Sequence, residues 1–196
     1  MSFAASGGVM LTAAILAAGL SVAWKAPDPT PQQAVRQVLL DGRRHERCLA
    51  FLGADAPVVS NARLDAATLV RIPERDQVGA LLDHAEARAK ERPEAVARWP
   101  EGLRDLLAIG RLEADLRDGG FAKHFEGHGG GEALAALTRL GAGGRAEALA
   151  LAMRIREARD PAGYREAERR YLSDHRCPWR DFARRVRHQP RQFLEP

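Results

Sequence analysis

The chain has 196 residues, enough for one domain of ordinary size with a tail or anchor to spare. Apolar residues make up 45%, charged ones 29% and aromatics 6%, which suits helices with solvated faces and argues against both a disordered chain and an aromatic-rich β-sandwich. Thirty basic residues against 26 acidic ones give a net charge of +4, a mixed surface that excludes an all-acidic polyanion mimic and permits only weak attraction to nucleic acid or an acidic membrane.

The charge is nevertheless unevenly placed. Glu101 to Glu132 carries four basic residues against seven acids, whereas Arg165 to Arg191 carries nine arginines against four acids. The middle is acidic and the end is basic.

No charged side chain precedes Lys25, and Phe3 to Trp24 forms 22 uncharged residues, about the length that spans a bilayer. Residues 1–24 therefore read as an N-terminal hydrophobic helix, either a membrane anchor or a signal peptide. Ser21-Val22-Ala23 supplies a small-x-small cleavage pattern, so release near Ala23 to a periplasmic or secreted location is the alternative. The absence of Lys or Arg ahead of the segment favours an uncleaved anchor, so the chain is expected to be membrane-associated through residues 3–24. Residues 25–33 follow as a stiff linker containing Pro27, Pro29 and Pro31.

From residue 34 to 196 a single all-α domain of about six to seven helices is expected. Ala34, Val35, Val38 and Leu39 begin an apolar stripe that runs through Cys48, Leu49 and Leu52 to a stop at Gly53. Asp55 to Asn61 is loop-like. Asp76 to Arg92 places Val78, Leu81, Leu82 and Ala85 on one face, and Pro93 closes it and opens a further turn. Glu101 to Asp118 has the best stripe of the chain, built on Leu103, Leu106, Leu107, Gly110 and Ala114. Glu132–Leu140 and Gly144–Arg159 follow a glycine-rich loop at Gly127–Gly131. Asp160-Pro161 reads as an N-cap with proline at the first helical position, and Cys177-Pro178 opens a last helix with Trp179, Phe182, Ala183 and Val186. No segment alternates with period two.

The double glycine Gly119-Gly120 demands a specific backbone event. With Gly120 left-handed at C′, Leu116 and Phe121 occupy the C3 and C″ positions that touch in a Schellman cap. Leu137, Gly141 and Ala142 can repeat the device at the next helix end.

The run Glu113-Ala-Asp115-Leu116-Arg-Asp118-Gly119-Gly120-Phe121-Ala-Lys123-His124-Phe125, followed by Ala133-Leu134-Ala-Ala-Leu137-Thr-Arg-Leu140-Gly141-Ala142, resembles the DNA mimic protein nineteen family, a bacterial helical domain, over about residues 74–188. Asp118, Lys123, His124 and Gly127 depart from the asparagine, glutamine, aromatic and second asparagine usual in that family. The resemblance implies a helical protein-binding domain with no catalytic residues to transfer. DNA mimicry does not carry over to a basic chain.

The protein-binding candidates are therefore the polar and aromatic positions of this corner, Glu113, Asp115, Asp118, Phe121, Lys123 and His124, and the partner is another protein. No cofactor and no catalytic residue is expected, and the chain reads as a non-enzyme. The alternative is a metal-binding protein or hydrolase centred on His124, Glu126 and His128. Two histidines four residues apart can share a helical face, but the surrounding glycines predict an exposed loop. Ser173-Asp174-His175 contains triad residue types at adjacent positions, which point in different directions on a helix. Cys48 and Cys177 can pair if the domain is exported, and are core residues or free thiols if it is cytoplasmic. With His45 and His175 they also form a two-fragment set of four metal-ligand types. Arg180, Arg184, Arg185, Arg187 and Arg191 offer a second alternative, acidic lipid or nucleic acid; nucleic acid is the less favoured partner.

Overall fold

The computed structural model describes Cys48 and residues 65–194. The expected anchor, linker and first apolar stripe lie outside these residues, Cys48 excepted. Among the described residues the fold is all-helical, with no strand, and no helix is long and apolar enough to cross a membrane.

Cys48 is itself helical, and residues 65–194 contain seven α-helices in order: α1 (Ala66–Arg71), α2 (Glu74–Glu91), α3 (Glu101–Gly127), α4 (Gly131–Leu140), α5 (Gly143–Glu157), α6 (Tyr164–Ser173) and α7 (Pro178–His188). Short 3-10 turns at Pro93–Arg98, Pro161–Gly163 and Pro190–Phe193 join or end them. The sequence reading passed over α1, which Asp65 starts by accepting a hydrogen bond from the Thr68 amide at 2.7 Å. Asp160 does not cap a helix directly. Pro161 opens a 3-10 turn instead, and α6 begins three residues later at Tyr164.

The apolar stripes bury as their spacing requires. Val78, Leu81, Leu82, Ala85 and Ala89 form the inner face of α2, while Asp83, Lys90 and Glu91 stay exposed. On α3, Leu103, Leu106, Leu107, Ile109 and Leu112 are all at 2% exposure or less, each contributing about 1.5–3 kcal/mol. This helix is the hub, packing against α2, α4, α6 and the C-terminal turn. Trp179 stacks on Phe182, which meets Phe193 edge-on at 6.2 Å and so draws the chain's end onto α7.

Cys48 and Cys177 form a disulfide, with Cα atoms 5.4 Å apart. It anchors residue 48 at the N-cap of α7.

The helix ends are stitched by side chains from far along the chain. Neither Phe121, where α3 resumes after its break, nor the start of α5 has a local side-chain cap. Glu168 of α6 accepts from the Phe121 amide at 3.0 Å, and Asp174, just after α6, accepts from the Arg145 amide at 3.0 Å. At the other polarity, Arg176 donates to the Gly141 carbonyl at 2.6 Å and Arg185 donates to the Arg139 carbonyl, placing cations at the C-terminus of α4.

Candidate functional site

The backbone event at the double glycine occurs, but it is not the expected cap. Gly119 is extended (φ −172°, ψ 17°), and Gly120 has φ 74° with ψ −165°, a combination open essentially to glycine alone. The chain turns at Gly120 and continues straight into a second helical arm. A Schellman cap needs ψ near that of the left-handed helix and donates the C″ amide back to the C3 carbonyl. Here the Phe121 amide goes to Glu168 instead. Phe121 is fully buried, and its ring meets Tyr171 edge-on at 5.9 Å and stacks with Phe125 at 6.1 Å. Leu116 is only partly buried at the edge of the core.

The complete Schellman cap stands at Gly141 (φ 75°, ψ 22°). There Ala142 donates to the Leu137 carbonyl at 2.9 Å and Gly141 to Thr138 at 3.0 Å, with Leu137 and Ala142 both buried.

Three of the six protein-binding candidates are withdrawn from the surface, because the corner folds them inward. Glu113 is 3% exposed and accepts hydrogen bonds from Arg145, itself 1% exposed, and from the Tyr171 hydroxyl at 2.8 Å. The Arg145 guanidinium also lies over the Tyr171 ring, 4.7 Å from its centre. Burial, together with the Glu113 carboxylate, pushes the Tyr171 hydroxyl well above its usual pKa. These groups join α3, α5 and α6 through the core. Phe121 is the second residue lost to the interior, and His124 is the third.

His124 lies on a helix, not in an exposed loop, since α3 persists to Gly127 and only then releases the chain. At 2% exposure, its Nδ1 lies 2.9 Å from Asp115 Oδ2 and its Nε2 has no hydrogen-bond partner. Burial lowers its pKa, against the opposing pull of Asp115. His128, the C-cap of α3, sits beside it with ring centres 5.2 Å apart and Nε2 3.8 Å from the same carboxylate. Glu126 points elsewhere and pairs with Lys123 at 3.0 Å. The carboxylate that joins the two histidines is thus Asp115, and the sequence grouping of His124, Glu126 and His128 is not assembled. Among the described residues no group of three or more His, Cys, Asp or Glu side chains is placed to hold a metal ion.

The remaining constellations also resolve. The disulfide removes both thiols from any ligand set with His45 and His175; His45 lies outside the described residues. Ser173 donates to the Arg170 carbonyl, and the Asp174 oxygens accept from the amides of Arg145 and Arg176. All three of these partners are backbone groups. The arginine run is partly structural, with Arg185 bound to Arg139 and Arg184 3.8 Å from Asp181.

At the corner, Asp118 and Lys123 remain exposed, with Arg117 beside Asp118 and Glu126 beside Lys123. That is a small patch of mixed charge. A larger concave feature lies further toward the start of α3. The 3-10 turn at Pro93–Arg98, α3 and α4 enclose a groove of about 570 Å³, with Val96, Leu107 and Ala135 on its walls and Arg104, Arg111, Arg139, Asp105 and Glu132 as its charged lining. Arg139 is committed to Asp105 and Glu101. Arg104 and Arg111 form no ion pair among the described residues. The sequence reading missed this groove. Arg104 and Arg111 are seven residues apart, hence on one face of α3, and that spacing was the available signal.

Comparison with known proteins bears on this segment. Residues 97–185 match the DMP19-like protein family. The DMP19-like stretch contains the corner, the paired histidines, the buried Glu113–Arg145–Tyr171 group and the walls of the groove that α3 and α4 contribute. It is narrower than the expected 74–188, leaving α2 and the last turn of α7 outside the match. No curated protein and no solved structure matches the chain.

Proposed function

We propose that the chain is a non-enzymatic helical domain that binds another protein, held at or beyond a membrane by residues 3–24 or released after cleavage near Ala23. The observation that carries the binding reading is the groove beside α3. It combines apolar walls with Arg104 and Arg111, which lack ion-pair partners among the described residues, and so suits an acidic segment of a partner. The groove replaces the corner as the proposed contact surface, because Glu113, Phe121 and His124 are spent on the interior. Asp118 and Lys123 remain available as a secondary contact.

The disulfide between Cys48 and Cys177 supports the location, since such bonds persist in oxidising compartments and are rare in reducing ones. It favours an exported face for the domain over the cytoplasmic face that the positive charges just downstream of the hydrophobic segment (Lys25, Arg36, Arg43 and Arg44) would select.

Affinity capture from membranes of the native host, using the full chain, tests both parts. The wild type is expected to retain an acidic partner that the Arg104→Glu, Arg111→Glu double variant loses. Recovery of the same partner by both proteins would sink the groove assignment. Free thiols at Cys48 and Cys177 in chain isolated under alkylating conditions would overturn the exported location.

A further inference from the structure

The chain leaves α3 through Gly129 and Gly130, the latter left-handed at φ 81°, and enters α4 at Gly131. No side chain caps this N-terminus, so the first amides of a ten-residue helix open onto a cavity of about 300 Å³. Such amides, with the helix dipole behind them, attract negative oxygen. Arg111, half-buried and without an ion pair among the described residues, lines the same cavity, together with His124 and His128.

His124 is what makes this more than a helix end. Its side chain is almost wholly buried, Asp115 engages Nδ1, and Nε2 is left buried with no partner, on a residue that lines this cavity. An imidazole that donates from Nδ1 to a carboxylate holds a lone pair at Nε2 and accepts a hydrogen bond there. The cavity therefore offers donors for anionic oxygens and one buried acceptor for an O–H. A simple carboxylate satisfies only the donors, and a metal cation is repelled by Arg111 and by the positive end of α4.

We propose that this cavity seats a proton-bearing tetrahedral oxyanion, inorganic phosphate or a phosphate monoester, with its anionic oxygens on the amides of Gly131, Glu132 and Ala133 and on Arg111, and its hydroxyl donating to His124 Nε2. The proton count is the same if the proton sits on Nε2 and the ligand is the dianion. Glu132 at the rim and Asp115 behind the imidazole oppose extra negative charge and favour one retained proton. This seat goes beyond the protein-binding reading and fails separately from it, because a phosphate titration needs no partner protein.

The test is calorimetric titration of the full chain at about neutral pH with inorganic phosphate, phenyl phosphate and sulfate. Sulfate has the shape and charge of phosphate but carries no proton at that pH. Phosphate is expected to bind at least about tenfold more tightly than sulfate, the worth of one hydrogen bond to a charged group. Arg111→Gln is expected to weaken phosphate about tenfold or more, and His124→Phe to abolish the preference over sulfate. Phenyl phosphate binding as well as phosphate assigns the seat to monoesters, and much weaker binding assigns it to the free ion. Sulfate equal to phosphate, or Arg111→Gln equal to wild type, overturns the proposal. The Arg111 variant, altered at a half-buried side chain, keeps the test decisive should His124→Phe fail to fold.

Discussion

Replacing Gly120 with alanine probes the corner directly. At φ 74° and ψ −165°, a Cβ confers strain of about 1–3 kcal/mol. The same Cβ would collide with Glu168 Oε1 and stand 2.9 Å from Glu168 Cδ. The glutamate is flexible and swings clear, so the collision itself is cheap. Moving, however, strips the Phe121 amide of its acceptor, a lost cap of about 0.5–2 kcal/mol. The total is about 1.5–5 kcal/mol, which in a domain of this size lowers Tm by roughly 10 °C at the middle of that range. Urea and thermal unfolding of Gly120→Ala, Glu168→Ala and the double variant separate the two parts. Glu168→Ala alone loses the cap, so the double variant should cost less than the sum of the singles by about 1 kcal/mol. A Gly120→Ala protein melting within about 2 °C of wild type would refute the strained corner, and strict additivity would refute the cap.

Reducing the disulfide opens a loop closed across 129 residues and is expected to cost about 3–5 kcal/mol; identical unfolding with and without reductant would show that the bond does not constrain the domain. Arg145→Met leaves Glu113 buried without its counter-charge and should cost about 3–5 kcal/mol, against about 1–2 kcal/mol for Tyr171→Phe. Equal urea midpoints for Arg145→Met and wild type would contradict the buried pair. For His124, burial depresses the folded pKa below the ordinary value of 6.5, so the unfolded ring takes its proton first on acidification. Its contribution to stability is therefore complete above that value and is lost as pH falls through the folded pKa. His124→Phe should flatten the decline in urea midpoint between about pH 7.5 and 5, and an unchanged slope would count against this reading.

The periodicity of α2 and the first arm of α3 was legible because Val78, Leu81, Leu82, Ala85, Leu103, Leu106 and Leu107 all meet core, and the Pro178 start of α7 was legible because proline at a first turn is a local signal. The Schellman cap at Gly141 was readable for the same reason, since all its partners lie within six residues. The corner at Gly120 was misassigned because its deciding partner, Glu168, is 47 residues away. Composition could not show that Glu113 and His124 turn inward. An acid on an amphipathic helix is ordinarily solvated, and only Arg145 and Asp115 in three dimensions make burial tolerable. The glycines after His124 suggested a loop too early, as the helix ran on to Gly127 before they took effect.

The two carboxylates that α6 and its exit lend to other helices have a consequence for how the domain assembles. The arm beginning at Phe121 and the helix beginning at Gly143 both lack a starting group of their own and borrow it from residues 168 and 174. A chain emerging from synthesis has all of α3, α4 and α5 available before either carboxylate acceptor exists. Those two starts stay unanchored until α6 docks, and the last sixth of the sequence then fixes the middle in one step. Shortening the chain ahead of Tyr164 would accordingly yield no smaller stable domain, but two frayed helices and an exposed core.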